Sequence, residues 1–210
     1  MYWSKEDIIN TNKIKRLNLI NSVSGTKSAN LIGTKSVSGQ ENLAIFSSVI
    51  HLGSNPALLG FVLRPDKDVR RHTYDNIIAS KSYTINSIHA SFIVKAHYTS
   101  AKFSVDESEF EKCKLEAQYL NEFNAPFVKA SKLKMALKLQ EVVDIKINSC
   151  KLIIGSIEHL HVDQEAIEEN GQVNLQKLDT VAIGGLNSYY ALSQIGHFPY
   201  ARTSELPDFD

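Results

Sequence analysis

Three β-prone runs follow one another between Ala29 and Leu63, and the links between them are too short to hold anything but turns. Ala29–Thr34 (ANLIGT) reads as a strand, Ser36–Gln40 (SVSGQ) as a turn, and Glu41–Leu52 as a second, longer strand rich in Ile, Val and Phe. Asn55-Pro56 punctuates the chain before Ala57–Leu63 (ALLGFVL), a third strand. Parallel neighbours need a crossover of a dozen or more residues, so this spacing commits the first part of the chain to antiparallel pairing.

The rest of the sequence extends the same pattern. Leu137, Leu139, Val143, Ile145 and Ile147 alternate with Lys138, Gln140, Asp144 and Lys146, and Glu141-Val142 breaks the alternation in the manner of a bulge. Leu152–Val162 is apolar enough to predict burial on most of both faces. Tyr83–Ile88 and Val181–Ala191, the latter with Gly184-Gly185 and Tyr189-Tyr190, add shorter strand candidates. Helices are predicted over Lys5–Asn10, continuing raggedly to Asn21, over Thr73–Ser80 with Thr73 as N-cap, over Ala90–Tyr98, and around Glu107–Cys113. Strands outnumber helices, which predicts a mainly β single domain: a barrel or sandwich with flanking helices.

Composition removes several function classes. Lys plus Arg and Asp plus Glu both total 23, so the molecule has no net field to gather nucleic acid or an anionic membrane. No apolar run is long enough to span a bilayer, and the charged N-terminus does not read as a signal peptide. Cys113 and Cys150 have neither metal-ligand nor redox spacing, and the expected location is the cytoplasm. Glycine-rich phosphate loops of the Rossmann or Walker type are absent, as is a G-x-S-x-G nucleophile motif.

Arg64–Asn76 (RPDKDVRRHTYDN) carries the densest chemical signal. Arg64, Lys67, Arg70, Arg71 and His72 run into a helix start at Thr73, where free N–H groups and guanidinium donors suit a phosphate; a solvated basic loop has the same composition. Phe46-Ser47-Ser48 places two hydroxyls beside an aromatic ring in an apolar strand, which suits the edge of a planar heteroaromatic or simply backbone bonding. His159 and His161 share a strand face without further ligands to complete a metal site. His97, Tyr98 and Tyr189 are candidates for lining a substrate pocket, and Tyr190 joins them as a candidate core or dimer contact.

In order, these segments resemble the flavin reductase-like FMN-binding domain. Gly33-Thr34, then Asn42-Leu43-Ala44-Ile45-Phe46-Ser47, then Asn55-Pro56-Ala57 match its opening strands; RHTYDNI, YTINSI, LIIGSIEHLHVD and GGLNSYY match its later ones, over about residues 17–204. Two positions depart from the family pattern: Ile45 stands where proline is usual, adding a backbone N–H, and Arg71-His72 replaces Lys-Asp. The resemblance implies an antiparallel, Greek-key FMN-binding split barrel, homodimeric, with FMN as cofactor, NAD(P)H as electron donor and a possible partner monooxygenase. It implies that Thr34 and Lys35 lie near the flavin, that Asn42, Ala44, Phe46, Ser47 and Ser48 border its ring, that Arg64 reaches the ribityl-phosphate, and that Arg71, His72 and Thr73 hold the phosphate. It names no catalytic side chain, because the flavin does the redox chemistry. A flavoredoxin-like electron carrier, or an FMN-binding protein lacking NAD(P)H reductase activity, is the alternative.

Overall fold

Short turns between β-prone runs produce antiparallel pairs where the sequence predicted them. The computed structural model describes residues 1–65 and 71–209. Along the chain come helices α1 (Lys5–Asn10) and α2 (Lys13–Ser22), and strands β1 (Thr26–Ser28), β2 (Asn30–Lys35), β3 (Glu41–Phe46), β4 (Ile50–Ser54) and β5 (Ala57–Leu63). Then follow α3 (His72–Ser80), β6 (Ser82–Ser87), α4 (Ile93–Tyr98), α5 (Glu109–Lys112), and the two-residue strands β7 (Ala117–Gln118) and β8 (Phe127–Val128). The long hairpin β9 (Leu133–Ile145) and β10 (Cys150–Val162) precedes β11 (Val181–Gly184) and β12 (Ser188–Ala191). Seven strands form one antiparallel sheet in the order β3-β2-β6-β9-β10-β5-β4; β1-β11-β12 form a separate small sheet that shares a core cluster with it.

Each face of β2 is buried against a different cluster. Ile32 joins Phe61, Leu63, Ile77, Tyr83, Ile85, Leu137 and Ile153 in one; Leu31 joins Leu43, Ile88, Phe92, Phe110 and Val181 in the other. Opposite pointing of successive side chains makes this possible. Gly155 lies against the first cluster: a Cβ there would collide with the Tyr83 hydroxyl, which is buried and unpartnered among the described residues.

The structure corrects several expectations. The run Glu41–Leu52 is two strands, β3 and β4, because Ser47–Val49 leaves the ladder and the Ser48 hydroxyl bonds both the N–H and the C=O of Val62 in place of a strand partner, each at 3.1 Å. The N-terminal helix does not fray toward Asn21: Asn12 caps a separate α2 through its side-chain oxygen. The bulge in β9 falls at Gln140, one residue before the predicted break, and a second falls at Glu158. Thr26–Ser28, outside every predicted strand, forms β1 by pairing with the distant β11. Finally, β10 is buried on one face only: in it just Ile153 and Gly155 are fully covered.

Candidate functional site

The hairpin register places Thr34 opposite Asn42, and α3 packs across both strands. Asn42 donates from Nδ2 to Thr34 Oγ1 at 3.3 Å and to Thr73 Oγ1 at 3.1 Å, while Asn76 donates to Thr34 Oγ1 at 3.0 Å. All four side chains are buried, so these bonds replace the water each lost on folding. The Thr73 hydroxyl accepts here, and among the described residues its own proton has no acceptor. Thr73 is therefore not the helix cap that the sequence predicted. Arg71 occupies that position without a side-chain cap bond, and Thr73 sits inside the first turn.

Above this network the helix offers donors. Tyr74 and Asp75 bond back to the Arg71 carbonyl, which leaves the His72 and Thr73 N–H groups without intrahelical acceptors. Arg71 holds the Pro65 carbonyl from Nε and Nη2 at 3.4 Å, a weak anchorage, and Arg64 is exposed. Lys67 and Arg70, part of the predicted basic cluster, lie outside the described residues. The Arg71 guanidinium, a hydroxyl proton and first-turn N–H groups form a donor set of the kind that suits a phosphate.

The ring-bordering candidates divide. Ala44 and Ser47 are half-buried at the end of β3. Phe46 turns into the core, edge-on to Phe61 with centroids 4.9 Å apart, and the Ser48 hydroxyl is committed to Val62. Lys35 holds its ammonium 4.7 Å from the Tyr119 ring centroid and borders a cleft of about 580 Å³ with Ser36, Ser38, Gly39, Ser80 and Asn124. That cleft opens at the C-terminal end of α3, away from Arg71. Elsewhere, His97 Nδ1 and the Tyr189 hydroxyl are 3.0 Å apart, half-buried, with the exposed Tyr98 ring beside them; burial raises the Tyr189 pKa. Tyr189 and Ile45 pack on the same core cluster. His159 and His161 turn onto the rings of Phe123 and Phe127.

Two residues were missed by the sequence reading. Asn76 lies one helical turn after Thr73, on the same face, and that spacing was the available signal. Glu109 had none. Its carboxylate is buried and accepts the Leu43 N–H at 2.9 Å, bridging positions 66 apart in the chain. Burial raises its pKa, opposed by that bond and by the nearby His72. Because Leu43 N–H points away from β2, Ile45 N–H, two residues on, points the same way from this edge strand.

The Asn42–Thr73 bond brings edge strand, polar network and helix start together, and comparison with known proteins gives the class of protein. The sequence model of the flavin reductase like domain matches residues 26–178, and the chain belongs to that family. A split-barrel protein classed as a flavin reductase from Shewanella frigidimarina NCIMB 400 is 47% identical, covering 96% of this chain and 100% of its own, with a TM-score of 0.92. Nitrilotriacetate monooxygenase component B from Bacillus cereus shares the fold at 19% identity and a TM-score of 0.83, over 94% of this chain and 98% of its own. Flavoredoxin of Desulfovibrio vulgaris (Miyazaki F) does so at 20% and 0.73, over 84% and 92%. No helix among the described residues is long and apolar enough to cross a membrane.

Proposed function

We propose that this protein is a cytoplasmic, homodimeric FMN-binding oxidoreductase that takes electrons from NAD(P)H. The observation that carries the reading is the buried Thr34–Asn42–Thr73–Asn76 network, which fixes the flavin-bordering strand to the donor-rich start of α3. In this role Arg64, Arg71, His72 and Thr73 hold the phosphate, while Thr34, Asn42, Ala44 and Ser47 set the ring against β3. Bound FMN supplies hydride acceptance at N5. The chain's own contribution is orientation and electrostatics, and the likeness to a monooxygenase component B supports reduced flavin passing on to a partner monooxygenase. His97, Tyr98 and Tyr189 remain candidates for the substrate side.

Flavin absorbance tests this directly. FMN is expected to bind near one per chain, and NADH or NADPH added without oxygen to bleach the flavin within minutes. Bleaching by dithionite alone would move the assignment to a flavoredoxin-like carrier, the reading supported by the likeness to flavoredoxin. A protein that leaves FMN fluorescence unquenched at micromolar concentration would remove the flavin altogether.

A further inference from the structure

Strand β3 ends the large sheet, so the backbone groups of Leu43 and Ile45 that face away from β2 have no further strand to pair with. At Leu43 the chain supplies a partner from far off: α5 brings the Glu109 carboxylate to the N–H at 2.9 Å and buries a charge in doing so. Two residues on, about 7 Å along the strand, there is no such partner. The Ile45 N–H leaves the same edge in the same direction and meets no acceptor among the described residues. Ile45 is half-buried, and its side chain packs on the cluster that holds Leu31, Leu43 and Val181, which fixes where that N–H points.

The surroundings of this donor belong to the candidate site. Asn42 ties the same strand to Thr73 at the start of α3, and Ala44 and Ser47, on either side of Ile45, are half-buried. Glu109 lies near His72, so the outer edge of β3 and the donor-rich first turn of α3 are neighbours. A proline at position 45, usual in the family pattern, has no N–H to offer, so the donor is a property of this chain.

We propose that the Ile45 N–H donates a hydrogen bond to a carbonyl oxygen at the pyrimidine end of the flavin ring. This rests on the FMN reading above and adds a contact to it. The pyrimidine end carries both ring carbonyls, whereas the dimethylbenzene end has no acceptor, so one donor of fixed direction decides which way the ring lies along β3. A donor aimed there also favours the reduced cofactor, because negative charge accumulates at that end of the ring.

Thio-substituted flavins test the proposal, because sulfur in place of a carbonyl oxygen keeps the shape of the ring and accepts hydrogen bonds poorly. FMN, 2-thio-FMN and 4-thio-FMN are titrated into the full chain, Ile45→Pro and Ile45→Val; the last keeps the N–H and is the reference for the change in packing. Proline at this edge position removes no ladder bond, so Ile45→Pro should fold, which circular dichroism checks. Relative to Ile45→Val, Ile45→Pro is expected to bind FMN roughly two- to tenfold more weakly, the range of one neutral hydrogen bond. One of the two thio-FMNs should bind the unaltered chain more weakly than FMN by a similar factor and lose little more in Ile45→Pro. If Ile45→Pro loses FMN and both thio-FMNs alike, Ile45 acts through packing and the donor is overturned. An unaltered chain that binds all three flavins equally also overturns it, and that comparison stands even where Ile45→Pro does not fold. An unaltered chain that binds no FMN removes the flavin reading itself, a result distinct from both.

Discussion

Asn42 Nδ2 lies 3.1 Å from Thr73 Oγ1, a buried bond between a strand and a helix start 31 positions apart in the chain. It joins the part of the molecule proposed to face the flavin ring to the part proposed to hold the phosphate. Asn42→Ala removes the donor to the buried Thr73 hydroxyl, while Thr34 keeps the bond from Asn76, at a cost of about 1–3 kcal/mol. The expected outcome is a lower thermal midpoint and weaker affinity for both FMN and riboflavin, read by melting and by fluorescence titration.

Arg71→Ala separates the phosphate from the ring. A charge-assisted contact is worth about 1.5–3 kcal/mol, so FMN affinity is expected to fall roughly ten- to a hundredfold. Riboflavin has no phosphate, and its affinity should stay within about twofold, since Arg71 bonds only weakly to Pro65. Equal losses for the two flavins would take Arg71 out of the phosphate site.

Glu109 tests a buried carboxylate that serves the backbone. Glu109→Gln keeps an acceptor for the Leu43 N–H and removes a charge whose burial is unfavourable. Its pKa is raised in the fold, so ionised Glu109 detracts from stability once pH exceeds that of the unfolded group. At pH 8 the Gln variant is therefore expected to melt at or above wild type. Glu109→Ala should melt lower, because it orphans the amide at a cost of about 1–3 kcal/mol.

His89 gives a pH signature. It is buried, its Nε2 accepts the Lys132 N–H at 3.0 Å, and burial followed by the Lys132 charge depresses its pKa to about 4. The folded state thus refuses a proton that the unfolded chain accepts below about pH 6.5. Stability is full above that value and is lost as pH falls toward 4, by up to roughly 3 kcal/mol. His89→Gln should flatten denaturant midpoints across this window; a wild-type slope in the variant would exclude His89 as the cause.

Gly155 and Tyr83 form a packing lock inside the barrel. Gly155→Ala drives a methyl into the Tyr83 hydroxyl and is expected to destabilise by about 1–3 kcal/mol. Tyr83→Phe deletes a hydroxyl with no partner among the described residues, so it should cost little alone. Combined, it should recover part of the Gly155→Ala loss, and a chemical-denaturation cycle measures that coupling.

Local pattern determined the strand-rich character of the chain, its antiparallel start, most of the strands β9 and β10 and the basic run leading into α3, because period and turn chemistry act over a few residues. Order and spacing of the segments carried the family. Tertiary structure alone decided what depends on contacts between distant positions. Ser48 bonding Val62 splits one predicted strand in two, β1 forms because β11 meets it, and Thr73 becomes a network member because Asn42 reaches it. Glu109 was invisible for the same reason: nothing near it in sequence signals that its carboxylate caps Leu43. For β10 the sequence described two buried faces and the single chain covers one. Hydrophobic patterning records that a face is to be covered, while only the assembled surfaces decide what covers it.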